Sequence, residues 1–92
     1  MIALDARPRL AAKARLRHDR VSGRTLLLYP ERGLELNATG AHIVRLCTGD
    51  NSVADIIAAL AVDYGKGSEL TVEVRSFLES LAERGLLLDL ES

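Results

Sequence analysis

The fold is decided by residues 25–49, which read TLLLYPERGLELNATGAHIVRLCTG. The first five, 25–29, form an apolar run that predicts a strand. Residues 30–33 follow with proline early and glycine late, an order typical of a turn. Residues 34–36 alternate apolar and charged side chains and predict a short second strand. The start of the stretch therefore predicts a hairpin.

The next residues change the apolar spacing from every second position to every third or fourth. This predicts a helix over 38–48, capped by Asn37 or Thr39 and stopped by Gly49. Upstream, residues 14–20 alternate and predict a strand before a glycine-containing turn. The sheet is then a meander of three antiparallel strands, and its last member is an edge with unpaired backbone groups.

Two more helices are predicted downstream. Ser52 and Asp55 fit a capping box ahead of apolar residues at helical spacing. Thr71 is the expected cap of the third helix, which Gly85 closes. Residues 86–90 predict a short strand or an apolar tail.

The length and composition predict one small folded domain. The chain has 92 residues, of which 48% are hydrophobic and 27% charged, and such a chain folds but encloses no deep cavity. The order of elements is typical of an α+β domain of winged helix-turn-helix type, with a three-stranded antiparallel sheet followed by three helices. We expect residues 1–13 to form an N-terminal arm and residues 14–92 to form a single winged-helix-like domain.

Residue usage argues against several classes of protein. Cys47 is the only cysteine, so no disulfide forms within the chain, which suits a reducing cytoplasm. No apolar run reaches the ~18 residues that span a bilayer, and Asp5 and Pro8 interrupt the start where a signal peptide is apolar. We expect a soluble cytoplasmic protein with no membrane partner. Stacking on bases is disfavoured because only three residues are aromatic: Tyr29, Tyr64 and Phe77.

No pattern in the chain predicts catalysis. His42 and Cys47 are five residues apart, so on one helix their side chains diverge by about 140° and do not favour a shared metal or a nucleophilic pair. Cys47 is expected in the core. Glu79 and Glu83 share a helical face that would serve acid–base chemistry only in a cleft. We expect no enzyme activity, no cofactor and no bound metal.

Charge is distributed unevenly along the chain, although the formal net charge is only −1. Residues up to Arg24 carry a formal charge of +5, and residues from Thr25 onward carry −6. The basic segment either forms a solvated arm or strand face, or steers an acidic partner into contact. The sequence leaves both alternatives open.

A winged helix suggests DNA binding, but the charge of the third helix argues against it. Its acidic residues Glu73, Glu79 and Glu83 outnumber Arg75 and Arg84, whereas phosphate binding needs cations. A binding module with an edge strand beside a helix fits better, because such an edge accepts an extended peptide through backbone hydrogen bonds. DNA binding, or another protein interaction, stays the alternative.

A series of short motifs runs in order through residues 8–88. It comprises Pro30-Glu31, Leu36-Asn37, Ile43, Leu46-Cys47-Thr48-Gly49, Val53-Ala54-Asp55-Ile56-Ile57, Leu60, Tyr64, Val74, Phe77-Leu78, Leu81 and Gly85. In this order the motifs resemble the PqqD family, the peptide chaperones of pyrroloquinoline quinone (PQQ) biosynthesis and one group of precursor-peptide recognition elements. Glu73, where the family pattern has aspartate, and a denser basic segment depart from it.

This resemblance implies a non-catalytic function. Members of the family bind a ribosomally made, PqqA-like precursor peptide. They present it to a PqqE-like radical S-adenosylmethionine (SAM) enzyme, which crosslinks a glutamate to a tyrosine of the peptide. Any iron–sulfur cluster would belong to that enzyme.

Two surfaces are expected to serve these partners. The peptide is expected along the edge strand and the outer face of the third helix, because the apolar positions of that helix are committed to the core; the residues are Leu34, Glu35, Leu36, Asn37, Val72, Arg75, Ser76 and Glu79. The enzyme is expected to dock on a basic set: Arg7, Arg9, Lys13, Arg15 and Arg17. The exposed edge and the apolar residues 86–88 also predict a homodimer in the absence of peptide.

Overall fold

The structure, a computed structural model, describes residues 2–30, 32–65 and 67–88. Along the chain the elements are β1 (Arg9–Leu10), β2 (Arg15–His18), β3 (Thr25–Tyr29), β4 (Arg32–Leu36), α1 (Ala38–Leu46), α2 (Val53–Tyr64), α3 (Ser68–Glu83) and β5 (Leu87–Leu88). Strands β2, β3 and β4 form one antiparallel sheet in that order, and β1 pairs with β5. The predicted α+β class, with a three-stranded sheet followed by three helices, is confirmed.

Some element bounds differ from the sequence prediction. Strand β4 begins at Arg32, two residues earlier than predicted, and α1 ends at Leu46 instead of residue 48. Four predicted positions lie outside the described residues: Glu31 of the turn, Lys66 of the polar segment 66–69 that predicts a loop before α3, and residues 89–90 of the final apolar segment.

One face of the sheet packs on the helices. Leu16, Leu27 and Leu34 lie opposite one another on β2, β3 and β4, so their side chains share a face. Leu27 is fully buried, and the other two pack partly buried against the core. Helix α1 contacts β2 and β4. The core therefore lies between this inner sheet face and the helices.

The helices bury the apolar residues that their spacing predicts. Val74, Leu78 and Leu81 of α3 are fully buried, and Phe77 packs partly buried beside them. Cys47 is also buried, which confirms its predicted place in the core. Burial raises the pKa of this thiol to about 12, so Cys47 is a neutral core residue at physiological pH.

Side chains cap the first two helices. Asn37, one of the two predicted caps of α1, accepts a hydrogen bond from the Gly40 N–H at 2.7 Å. The predicted capping box of α2 is confirmed: the Ser52 hydroxyl accepts from the Asp55 N–H at 3.0 Å, and the Asp55 carboxylate accepts from the Ser52 N–H at 2.9 Å. These bonds satisfy donors that a helix start leaves unpaired.

We expect Ser52→Ala to lower the free energy of unfolding by about 1 kcal/mol, because the Asp55 N–H loses its acceptor. Urea unfolding, monitored by circular dichroism, measures this change in the free energy of unfolding. The exposed Ser76→Ala on α3 is the control, with an expected change within about 0.5 kcal/mol. Equal stability of the two variants would contradict the role of the cap.

The effect of this cap depends on pH. The Ser52 N–H, and then the Ser52 side chain, hold the pKa of Asp55 below its ordinary value of 3.8. The folded state thus favours the charged carboxylate, so its stabilisation is present above the ordinary pKa and is lost as the pH falls through the lowered one. The free energy of unfolding of the wild type should therefore fall over that acid range, and Asp55→Asn, which has no titratable carboxyl at this position, should lack this contribution.

Helix α3 begins earlier than the sequence predicts, and the assignment of Thr71 as its cap is wrong. The helix begins at Ser68, its N-cap position is Gly67, and no side chain caps it. Leu70 in the first turn is buried in the core, so packing extends the helix into a segment whose polar composition predicts a loop. Glu69 adds a carboxylate to the first turn, where the helix dipole favours it.

The segment expected to form an arm packs against the rest of the chain. Ile2, Ala6 and Pro8 are buried. The carbonyls of Ala6 and Leu4 accept hydrogen bonds, both of 2.9 Å, from the first two N–H groups of α2. Strand β1 pairs with β5, where the predicted apolar residues Leu86 and Leu87 are buried.

Candidate functional site

The free edge of β4 exposes backbone hydrogen-bonding groups. In the β2–β3 hairpin the Asp19 N–H donates to the Arg24 carbonyl at 2.8 Å. Every second pair of facing residues along an antiparallel hairpin is hydrogen-bonded, so the next such pair is Arg17 with Leu26. Leu26 therefore bonds to β2. Its partner on β4, Glu35, turns its N–H and C=O to the free edge, as does Gly33. No other strand among the described residues pairs with this edge.

The side chains of β4 are already engaged. Leu36 is buried and Leu34 is half-buried against the core. Glu35 forms an exposed ion pair with Arg24, at 3.4 Å between Oε1 and Nη1. The Asn37 side chain caps α1. At these four predicted peptide-binding positions, the backbone of the strand is what is open to a ligand.

The first turn of α1, directly after β4, meets α3 at a glycine. A Cβ atom at Gly40 would lie 3.2 Å from the Asn37 Oδ1 and 3.3 Å from the Phe77 ring. A glycine inside a helix costs up to about 1 kcal/mol relative to alanine, and this close approach is the reason for it here. Neither Gly40 nor Phe77 is among the predicted site residues, although a glycine in a helical first turn is a signal of close packing.

A hollow of about 360 Å³ lies beside this junction. Thr39 of α1, Tyr64 at the end of α2, and Glu73 of α3 are among the residues that line it. Glu73 lies one helical turn before Phe77, so the two side chains lie on the same side of α3. This side of α3 faces the start of α1, which follows directly after β4.

The four predicted residues of α3 come together on a different flank. Val72, Arg75, Ser76 and Glu79, with Thr71, line a shallow depression of about 150 Å³. Arg75 is half-buried, and its Nη2 donates to the carbonyl of Ile2 at 2.7 Å.

Arg75 therefore does not lie beside β4. Successive residues of a helix are rotated by about 100°, which places Arg75 and Phe77 on nearly opposite sides of α3. The N-terminal segment lies on the Arg75 side, and the β4–α1 junction lies on the Phe77 side. The sequence predicts which helical residues avoid the core but not which neighbour covers each flank.

The predicted basic set is spread over three places. The Arg7 guanidinium donates to the Asp50 carbonyl at 3.0 Å, near the start of α2. Arg9 on β1 lies against Gly49, and the Lys13 Nζ lies 3.5 Å from the position of a Cβ at Gly85. The remaining two members, Arg15 and Arg17, are exposed on β2.

The metal-ligating side chains of the described residues are scattered over the fold. The described residues contain no group of three or more metal-ligating side chains. His42 contacts the Tyr64 ring, with 6.3 Å between ring centroids. On α3, Glu69, Glu73 and Glu83 are exposed, an arrangement that repels phosphate. None of the helices in the described ranges is long and apolar enough to cross a membrane.

Comparison with known proteins places the chain in a family. The family model described as Coenzyme PQQ synthesis protein D (PqqD) matches residues 24–87. This chain belongs to the PqqD family. A relative from Rhodopseudomonas palustris (strain HaA2), called PqqA binding protein, is 37% identical over 87 residues, covering 94% of this chain and 85% of the relative. A protein of the same name from Xanthomonas campestris pv. campestris (strain B100) is 33% identical over 87 residues, covering 94% and 95%.

Solved structures agree with membership of the PqqD family. The solution NMR structure of the PqqD truncation of Methylobacterium extorquens PqqCD, a stand-alone recognition element for ribosomally synthesised and post-translationally modified peptides, has a TM-score of 0.80 and 28% identity, covering 96% of this chain and 95% of that one. A lasso peptide synthetase B1 complexed with its leader peptide has a TM-score of 0.75 and 26% identity, covering 90% and 99%. This membership confirms the prediction that the chain is not an enzyme.

Proposed function

We propose that this chain is a peptide chaperone of PQQ biosynthesis, which binds the ribosomal precursor peptide and presents it to a radical SAM enzyme. Two findings support it: the relatives are called PqqA binding protein, and a similar solved chain holds a leader peptide. The observation that carries the proposal is the free edge of β4, where Gly33 and Glu35 direct backbone groups outward.

Binding occurs by strand addition. An extended peptide segment pairs with the outward N–H and C=O groups of Gly33 and Glu35 and becomes the fourth strand of the sheet. These backbone bonds provide affinity without reading sequence. Side chains of the added strand point alternately to the two faces of the sheet, and those on the inner face approach Phe77 and Glu73 on α3. That contact provides selectivity.

The chain itself holds the peptide and performs no chemistry on it. Its single thiol, Cys47, is buried in the core. Crosslinking of the bound peptide is the task of the radical SAM enzyme. The chain contributes by fixing one segment of a flexible peptide as a strand, which lowers the entropy cost of placing the rest in the enzyme.

Titration of the isotope-labelled chain with a PqqA-like precursor peptide tests this function. We expect shifts of the amide resonances of residues 33–37 and of Phe77, because these line the proposed cleft. A peptide of the same composition in scrambled order is the control. Shifts confined to β1 and β2, or equal shifts with the scrambled peptide, would contradict the proposal.

A further inference from the structure

The face of the sheet that points away from the helices has an unusual composition. Its first row across the strands is Arg15, Leu28 and Gly33, and its second is Arg17, Leu26 and Glu35. Cross-strand partners share a face, so these six residues form one surface, which we call the outer sheet face. Its centre is two leucines, and its β2 side is two arginines.

The two leucines at the centre do not pack against the hydrophobic core. Leu26 and Leu28 are half-buried, yet neither belongs to the core cluster or to the side chains that pack against it. Gly33 offers no side chain to cover Leu28; a Cβ there would lie 3.2 Å from the Leu28 Cδ2. The outer sheet face thus has an apolar centre open from one side.

The charge of this face is opposite to that of the chain. The guanidinium groups of Arg15 and Arg17 are exposed and form no ion pair within 4 Å in the described ranges. Glu35 is already paired with Arg24. With Arg24 and its cross-strand neighbour Asp19, which interacts electrostatically with Arg17, the face has three arginines against two acids, a net positive surface on a chain whose net charge is −1.

We propose that the outer sheet face docks a protein whose contact surface carries carboxylates around apolar side chains. The inference rests on the proposed function, in which that protein is the enzyme that modifies the bound peptide. Nucleic acid fits less well, because two leucines occupy the centre of the face, where a phosphate backbone would need cations.

Strand addition at β4 explains why this face suits the enzyme. An added peptide strand extends the sheet, and every second side chain of that strand points to the outer side. The peptide therefore enlarges the outer sheet face instead of covering it. A protein docked on Leu26 and Leu28 contacts the chaperone and the peptide together, while β4 keeps its hold on the peptide backbone.

The test combines the full chain with a PqqA-like precursor peptide and a PqqE-like radical SAM enzyme. Arg15→Glu/Arg17→Glu reverses both charges of the face. Arg45→Glu/Arg84→Glu is the matched control, because it makes the same change in net charge at exposed positions near the ends of α1 and α3. Arg15→Lys/Arg17→Lys keeps the charge. Enzyme association is measured by surface plasmon resonance at several salt concentrations, and peptide affinity by calorimetry.

We expect the charge reversal to slow enzyme association about tenfold or more at low salt, and to flatten its salt dependence. Peptide affinity, the control and the lysine variant should stay close to wild type. Unchanged enzyme binding, or loss of peptide binding in the reversed variant, would overturn the inference. So would a change from dimer to monomer with normal enzyme binding, because a second copy would then occupy the face. A wild-type chain that binds enzyme but no peptide would overturn the proposed function instead.

Discussion

Replacing Glu35 with proline is expected to lower the affinity for the precursor peptide by at least about tenfold while the chain stays folded. The Glu35 N–H points to the free edge, so proline removes no bond to β3, and edge strands tolerate proline at such positions. The peptide loses one backbone donor, worth about 1 kcal/mol, and meets the proline ring where its own strand must approach. A tenfold change corresponds to about 1.4 kcal/mol.

Glu35→Ala is the matched control for this variant. It also removes the ion pair with Arg24, which is exposed and worth at most about 1 kcal/mol, but it keeps the N–H. Calorimetric titration of both variants isolates the backbone donor, and thermal unfolding verifies that both are folded. Equal affinity of the two variants would rule out strand addition at β4. Leu36→Pro is not a suitable test of peptide binding. Leu36 is buried and its N–H faces β3, so proline there would disrupt the fold itself.

Deleting residues 2–8 is expected to lower the free energy of unfolding by about 4 kcal/mol or more. Complete burial of a side chain as large as Ile2 contributes about 1.5–3 kcal/mol. Pro8 is also fully buried, and the segment supplies two carbonyl acceptors to the start of α2, each bond worth about 1 kcal/mol. A small domain has only about 5–15 kcal/mol in total, so the variant should unfold at a much lower urea concentration.

A pair of point variants separates the packing of this segment from its length. Ile2→Ser places a polar hydroxyl at a buried position and removes apolar contacts, so it is expected to lower the free energy of unfolding. Leu4→Ser changes a side chain that is 44% exposed and should have a much smaller effect. If the deletion variant unfolded at the same urea concentration as the full chain, residues 2–8 would be a solvated arm.

The elements that the sequence predicts well are those whose causes are close together in the chain. The capping box of α2 joins Ser52 to Asp55, three residues away. The strand over Thr25–Tyr29 has the predicted bounds, because its apolar run and the turns beside it are local features. The edge position of β4 also follows from the sequence, since a meander of three strands ends at its last member.

The start of α3 shows where local rules fail. A polar segment with a threonine at residue 71 predicts a loop followed by a cap, yet the helix begins at Ser68. The burial of Leu70 stabilises this extra turn, and the partners of Leu70 lie on other elements. Tertiary packing thus outweighs the local preference of a few polar residues.

The sequence by itself determined the order of β2, β3, β4 and the three helices, the capping box of α2 and the edge strand, because short-range hydrogen bonds and apolar periodicity define them. Only the tertiary structure decided which flank of α3 faces β4 and what the N-terminal segment does. Arg75 reaches the carbonyl of Ile2, 73 positions away in the chain, and β1 pairs with β5 from the opposite end. Such contacts depend on how whole elements pack, since a helical period gives the buried side of a helix but not the neighbour on each of its other flanks.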